Sequence, residues 1–207
     1  QERFIIDKTG AKTIELIGAS FIADEESIFG TPNEEYINKE IEWYNSMSTN
    51  INDINKEGEP PAAWKYAANE HGEINSNYGL LTMSEQYHDQ LGHVADELIT
   101  NPYSRRACMI YNRPSIWLEY DKGNMSDFIC TNAVSYMIRD EKLISVVQMR
   151  SNDVVYGYKN DYAWQKWIQR EVCDLINIDQ HENYKTLVKP GDIYWQVQNL
   201  HVYEKHF

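Results

Sequence analysis

The residues best suited to chemistry lie in one predicted strand, turn and helix, and in the strand before them. Arg150 and Ser151 end the predicted strand, Asp153 follows, and Asp161 lies where the next helix is expected to begin. Cys130 lies twenty residues before Arg150. A cysteine, a fixed cation and a carboxylate in register could form a covalent nucleotide-binding site. An Arg-Ser-Asn-Asp run before a turn is also typical of a solvated loop, so the pattern alone leaves both interpretations open.

The strands that would position these residues follow from alternation of apolar and polar side chains. We expect a hairpin turn at 140–142 because Asp-Glu-Lys separates two alternating runs. The predicted strands are 4–6, 13–22, 107–112, 127–139, 143–150 and 193–203. The alternation places Cys130 near the end of an apolar strand, where its Sγ could line a pocket.

Helical periodicity predicts three helices, over 31–46, 84–100 and 161–177. Thr31 is expected to cap the first helix, with Glu34 closing a capping box. At the third helix, Asp161 would lie at the N-terminus, where the helix dipole stabilises an ionised carboxylate.

Composition limits the classes of function. The net charge of -13 argues against a nucleic-acid polymer as partner, because phosphate backbones require a basic surface. A mononucleotide needs only a few local cations. No apolar run approaches the ~20 residues of a membrane span, so no membrane segment is predicted. Three cysteines without framework spacing favour a reducing cytoplasm, and no metal site is predicted from the His and Cys spacing.

The run RSNDVVYGYKND resembles the nucleotide-binding segment of the thymidylate synthase family, whose pattern is Arg-Ser-x-Asp-x-x-x-Gly-x-x-x-Asn. Asp161 replaces the final Asn, as in the phage-type deoxycytidylate hydroxymethylase branch of that family. The resemblance covers about Asp7 to His206. It implies an α+β fold in one domain over 1–207, with a large mixed β-sheet flanked by helices. Two such sheets would pack back to back in a homodimer. Because the chain starts at Gln1 and stops directly after a predicted strand, we expect truncated ends.

The resemblance also assigns catalytic candidates. KEIEWY is similar to the family segment that carries a catalytic glutamate, and Glu40 takes that position. Periodicity places Glu40 beside the apolar face of its helix, and without the resemblance it would be interpreted as an exposed charge. Cys130 takes the position of the nucleophile. Its neighbours Ile129 and Thr131 replace the usual Pro and His, which is closer to the hydroxymethylase branch.

Phosphate and sugar contacts are implied by three further motifs. DKTG is similar to a phosphate loop in which Lys8 replaces the usual Arg, so the bidentate fork is lost. In the family, paired arginines reach across the dimer to the partner subunit's phosphate, and SRR places them here. His-x-Tyr hydrogen-bonds the sugar hydroxyl. The substrate-binding candidates are Lys8, Arg105, Arg106, Arg150, Ser151, Asp153, His201 and Tyr203.

The co-substrate implied by the resemblance is 5,10-methylenetetrahydrofolate. Trp64 matches a tryptophan on the folate side of the family site, and Tyr78 matches a site tyrosine. Asp153 would orient the folate ring or stabilise its own turn.

The reaction implied is one-carbon transfer to carbon 5 of deoxycytidylate, followed by addition of water. Cys130 would add to carbon 6, with its pKa lowered by Arg150 and by the partner's arginines. Glu40 would position water. Asp161 would accept from the cytosine amino group, with a proton or a water between it and the ring nitrogen.

Three alternatives remain open at this stage. Hydride delivery in place of water would make a deoxycytidylate methylase. Thymidylate synthase proper is disfavoured by Asp161 and by the neighbours of Cys130. A non-catalytic nucleotide-binding scaffold would lack a nucleophile, a base or a phosphate arginine, and each has a candidate here. The setting implied by the hydroxymethylase branch is phage DNA modification in the cytoplasm of an infected bacterium.

Overall fold

The structure, a computed structural model, describes residues 4–6, 10–178 and 186–207. In this part of the chain, six strands form one sheet in the order β1-β2-β6-β5-β4-β3. Their bounds are β1 Ile5–Ile6, β2 Lys12–Ile22, β3 Cys108–Ile110, β4 Thr131–Arg139, β5 Lys142–Asp153 and β6 Lys189–Tyr203. The sheet is mixed because β5 and β6 are parallel, whereas the other neighbours are antiparallel.

Helices pack on the sheet and on one another. They are α1 Glu34–Asn45, α2 Ala62–Ala67, α3 Tyr78–Met83, α4 Gln90–Thr100, α5 Ile116–Glu119 and α6 Gly157–Ile178. The long helix α6 connects the parallel strands β5 and β6, as a parallel connection requires. Its buried residues include Trp164, Ile168 and Val172, which recur at helical spacing. The expected α+β class with a mixed sheet and flanking helices is therefore confirmed.

The β4–β5 hairpin sets the register of the candidate nucleophile. Asp140 and Glu141 both have positive φ, at 50° and 63°, which suits a two-residue turn whose twist matches the strands. From this turn the ladder runs back to Thr131, which pairs with Met149. One step further, Arg150 N donates to Cys130 O at 2.9 Å. The hairpin thereby places Cys130 beside Arg150.

Several predicted boundaries were wrong, each for a local reason. Helix α1 is capped by Asn33, whose side chain accepts from Tyr36 N, so Thr31 is outside the helix. The predicted helix over 84–100 begins only at Gln90, because Asp89 has a φ of 38° and caps α4. Helix α6 begins four residues before Asp161, at Gly157.

Strand β5 is longer than predicted and includes Ser151, Asn152 and Asp153. The solvated-loop interpretation of these residues was therefore wrong. None of the helices within the described ranges is long and apolar enough to cross a lipid bilayer.

Candidate active site

Cys130 directly precedes β4 and is partly buried. Its Sγ lies 3.6 Å from Nη2 of Arg150. The guanidinium is itself fixed, because Nη2 donates to Phe128 O at 2.5 Å and Nε donates to Ile129 O at 3.0 Å. It also lies 4.9 Å from the centre of the Phe128 ring. Arg150 thus holds the segment before Cys130 in place and keeps a positive charge beside the thiol.

The pKa of Cys130 does not fall as expected. Burial raises the pKa of this thiol to about 11. The charge of Arg150 acts in the expected direction and lowers it, but Asp161 and Asp127 add to the rise. The chain by itself therefore holds Cys130 as a neutral thiol at neutral pH.

Glu40 is buried, with 5% of its surface exposed, so the exposure expected without the resemblance was wrong. Oε1 accepts from the Tyr36 hydroxyl and, at 2.9 Å, from Nε1 of Trp64. Trp64 packs edge-on against Trp43 at 5.1 Å between ring centres. Burial raises the pKa of Glu40, and the two donors oppose that rise. Glu40 is a candidate proton-relay group because its pKa moves toward neutrality.

Asp161 lies in the second turn of α6 and is partly buried. Its Oδ2 accepts from Nδ2 of Asn152 at 2.8 Å. Loss of solvent and the charge of Glu40 raise the pKa of Asp161 to about 8, although Asn152 and Tyr78 lower it. The pKa of Asp161 therefore lies well above the usual range of a carboxyl group, although the helix terminus was expected to favour the ionised form.

Tyr78 is buried beside Asp161 and the start of β4. Its hydroxyl accepts from Thr131 Oγ1 at 3.0 Å, and it lowers the pKa of Asp161 by hydrogen bonding. Its ring stacks on Tyr44 at 5.2 Å between centres. Tyr78 thus lies on the buried side of the site. Trp64 lies beside Glu40, and its ring is half-buried.

The ends of β5 and β6 bring the remaining site candidates into register. Ser151 pairs with Asn199, and Asp153 pairs with His201. His201 and Tyr203 share a face, with 5.3 Å between ring centres. Oδ1 of Asp153 accepts from Val155 N at 2.9 Å, so this carboxylate stabilises its own turn. A contact of Asp153 with folate stays a prediction.

Arg105 and Arg106 lie just before β3 and are exposed. Arg106 forms an ion pair with Glu97 at 3.1 Å. The residue after the two arginines, Ala107, accepts through its O from Tyr136 N on β4. Tyr136 is six residues along the chain from Cys130, which corresponds to about 20 Å of strand. These two arginines, the arginine pair, are therefore far from Cys130 of their own chain. Lys8 lies outside the described residues.

Three site residues received no role from sequence reasoning. Tyr36 donates to Glu40, and its only signal was a spacing of one helical turn. Asn152 donates to Asp161, although its sequence position suggested a loop. Asp127 is buried and accepts from Asn75 N at 2.7 Å and from the Ser76 hydroxyl at 2.7 Å. This carboxylate fixes the segment before α3 to the segment before Cys130.

The described residues include no group of three or more His, Cys, Asp and Glu side chains that could hold a metal ion. The chemistry available at the site is that of a thiol, two carboxyl groups with raised pKa values and a fixed guanidinium.

The family model for thymidylate synthase matches residues 5–207, and the chain belongs to the thymidylate synthase family. It is 52% identical over 208 residues to the deoxycytidylate 5-hydroxymethyltransferase of Enterobacteria phage T4, with 100% of this chain and 82% of that protein covered. The enzyme of the same name from Enterobacteria phage T6 shows the same identity and coverage.

Among solved structures, the thymidylate synthase from T4 phage matches with a TM-score of 0.75 and 23% identity. The match covers 98% of this chain and 72% of that one. This likeness confirms the fold. The resemblance to the thymidylate synthase family seen in the sequence is confirmed as well.

Proposed function

We propose that the protein is a deoxycytidylate 5-hydroxymethyltransferase. Two phage relatives of that name match the whole chain at 52% identity. The observation that carries the proposal is Asp161, which shares one site with Cys130 and Glu40 and has its pKa raised to about 8. A neutral carboxylic acid presents one donor and one acceptor, which is the arrangement that cytosine needs.

Cys130 is the nucleophile of the proposal and adds through Sγ to carbon 6 of the pyrimidine. This addition breaks the aromaticity of the ring and makes carbon 5 nucleophilic. Because burial raises the pKa of the free thiol, ionisation has to be coupled to substrate binding. Arg150, with Nη2 at 3.6 Å from Sγ, supplies the positive charge that stabilises the thiolate.

Asp161 reads the base. In its neutral form one oxygen accepts from the cytosine amino group, and the other donates to the ring nitrogen. An ionised carboxylate would instead repel the lone pair of that nitrogen. Uracil presents a carbonyl and a ring N–H in the reverse order, so the same acid has to reverse its donor and acceptor to bind it.

Glu40 positions the water that adds after one-carbon transfer and relays its proton. Tyr36 and Trp64 both occupy Oε1, which fixes the orientation of the carboxyl group. 5,10-Methylenetetrahydrofolate would supply the one-carbon unit. Trp64 is suited to contact this co-substrate. Its indole N–H donates to Glu40, and its half-buried ring leaves an aromatic surface for a flat heterocycle.

Phosphate binding requires a second subunit in this proposal. Ser151 and Arg150 contribute from one chain, and the arginine pair reaches the site of the partner. The uncovered face of the sheet supports a back-to-back dimer, since Leu16, Ile22 and Tyr194 lie on it with 60%, 48% and 38% of their surfaces exposed. Exposed apolar side chains on an uncovered sheet face are typical of an interface. The cytoplasm of an infected bacterium, where the nucleotide pool is found, is the proposed setting.

Product analysis tests the proposal. The protein is incubated with methylenetetrahydrofolate and equal amounts of deoxycytidylate and deoxyuridylate, and products are identified by mass spectrometry. We expect a hydroxymethyl group on cytosine alone. A methyl group on cytosine would instead establish a methylase, and a methyl group on uracil a thymidylate synthase. Nucleotide binding without any product would establish a non-catalytic scaffold.

A further inference from the structure

Asn152 is a buried amide between the end of β5 and the second turn of α6, with 3% of its surface exposed. Nδ2 donates to Oδ2 of Asp161 at 2.8 Å. On its other side, Oδ1 accepts from Nε1 of Trp195 at 3.3 Å. The three side chains thus form a line from the core of the sheet to the candidate base-reading group.

Trp195 fixes which way the amide of Asn152 faces. An indole nitrogen only donates, so the amide atom beside it has to be the carbonyl oxygen. The NH₂ group is therefore directed to Asp161. Trp195 cannot turn away, because it is fully buried on β6 and packs edge-on against Tyr158 at 5.4 Å between ring centres.

This fixed donor makes the two oxygens of Asp161 unequal. Oδ2 receives an N–H, so the carbonyl-type oxygen of the neutral acid is favoured there and the proton is favoured on Oδ1. Oδ2 keeps a second lone pair with which it can accept from a cytosine amino group. Turning the carboxyl group over would place an O–H against the NH₂ of Asn152, where two donors meet and neither has an acceptor.

On the basis of the proposed function, we infer that Asn152, held by Trp195, is the positioning residue that decides which oxygen of Asp161 accepts and which one donates. This asymmetry would set the preference for cytosine over uracil. Asn152 itself touches no reacting atom in this account. It acts only through Asp161.

The groups that face Asp161 also define its pH behaviour. Glu40 on α1 and Asp153 on β5 raise its pKa, whereas Asn152 and Tyr78 lower it by hydrogen bonding. The remaining titratable neighbours that interact with it are Tyr36, Tyr44, Tyr111 and Cys130. Removing the Asn152 donor should therefore raise the pKa of Asp161 further.

The test compares Asn152→Leu with a matched control, Gln169→Leu. Gln169 is also a buried amide that connects α6 to β5, donating to Leu143 O at 2.8 Å and to the Ser145 hydroxyl at 2.9 Å. Both variants lose a buried amide at the same boundary, but only one amide contacts Asp161. The readouts are kcat/KM for deoxycytidylate and deoxyuridylate, and the pH at which deoxycytidylate binding weakens.

We expect Asn152→Leu to lower the ratio of the two kcat/KM values by roughly tenfold or more, as for a lost hydrogen bond to a charged or buried group. The alkaline limb of deoxycytidylate binding should move to higher pH. Gln169→Leu should change neither readout. If Asn152→Leu does not fold, Trp195→Phe removes the indole N–H that orients the amide of Asn152. This variant keeps Asn152 and should also lower the ratio of the two kcat/KM values.

An unchanged ratio and pH limb in a folded Asn152→Leu or Trp195→Phe protein would overturn the inference. An equal loss of preference in Gln169→Leu would overturn it too, since the effect would then belong to general loosening of the α6–β5 contact. A wild-type protein without preference for deoxycytidylate would overturn the proposed function itself, before any variant is compared.

Discussion

The part of the site that holds Glu40 and Asp161, the carboxyl end, differs from the arginine pair in the contacts that a single chain provides. Glu40 and Asp161 each receive fixed donors from their own chain, namely Tyr36 and Trp64 for one and Asn152 for the other. Arg105 and Arg106 are exposed near β3, about 20 Å of strand from Cys130. In our account, base recognition is therefore complete within one subunit, whereas phosphate recognition is completed by a second.

This difference has an electrostatic origin. Burial raises the pKa values of both carboxyl groups, which lowers the cost of enclosing them without a cation. Arg105 and Arg106 cannot lose their charge, and in the single chain both stay exposed at the surface. In the single chain, Arg106 forms an ion pair with Glu97 at 3.1 Å.

The largest expected effect is that of Cys130→Ala. Turnover should fall by at least about ten-thousandfold, the scale seen when a covalent nucleophile is removed. Binding of deoxycytidylate should persist, because the carboxyl end is intact. Cys108→Ala on β3 is the control and should keep full turnover. Substantial turnover in Cys130→Ala, measured by release of product, would refute the nucleophile assignment.

Mixing two inactive proteins tests the comparison most sharply. Cys130→Ala lacks the nucleophile, and a double variant with Arg105→Ala and Arg106→Ala lacks the phosphate arginines. Re-formed heterodimers should carry one intact site each, so activity should return to roughly a quarter of the wild-type value after random assortment. Failure to regain activity, with heterodimers shown by native mass spectrometry, would place the arginine function within one chain.

Asp161→Asn should change the base preference. The amide places its NH₂ and its carbonyl in fixed positions and can match the carbonyl and ring N–H of uracil. We expect the deoxycytidylate to deoxyuridylate ratio of kcat/KM to fall by about tenfold or more, as for loss of a paired hydrogen bond. Asn160→Ala, the neighbouring position on α6, is the control. An unchanged ratio would remove Asp161 from base recognition.

Trp64→Phe is expected to have the smallest effect of these variants. It removes the indole N–H that lowers the pKa of Glu40 and leaves the Tyr36 hydroxyl in place. We expect kcat to fall by roughly threefold to tenfold, since one of two hydrogen bonds is lost. The acid limb of the kcat profile should move to higher pH. Trp117→Phe, at an exposed ring, should change neither quantity.

Sequence reasoning was strongest where a residue type is tied to a motif. Cys130, Glu40 and Asp161 were proposed from short matches, and the structure brings all three to one site. The strand partners were also predictable, because the hairpin turn at Asp140 and Glu141 fixes the register of β4 and β5.

Burial and protonation could not be predicted in the same way. Glu40 lies beside the apolar stripe of α1, and its burial depends on Trp64 from a different element. The pKa of Asp161 depends on Glu40, which is far away in sequence. The role of Asn152 depends on Trp195, which arrives on β6 after the whole of α6. Each of these properties arises from contacts that form only in the folded chain.

The central claim is that Asp161 reads cytosine as a neutral acid, and the pH dependence of nucleotide binding tests it most directly. Calorimetry with the Cys130→Ala protein excludes thiol ionisation, and work above about pH 7 keeps the phosphate largely dianionic. Because the acid loses its proton as the pH passes its pKa of about 8, deoxycytidylate binding should weaken above that pH. Binding that stays constant to about pH 9.5, in a protein whose phosphate site is intact, would contradict the claim.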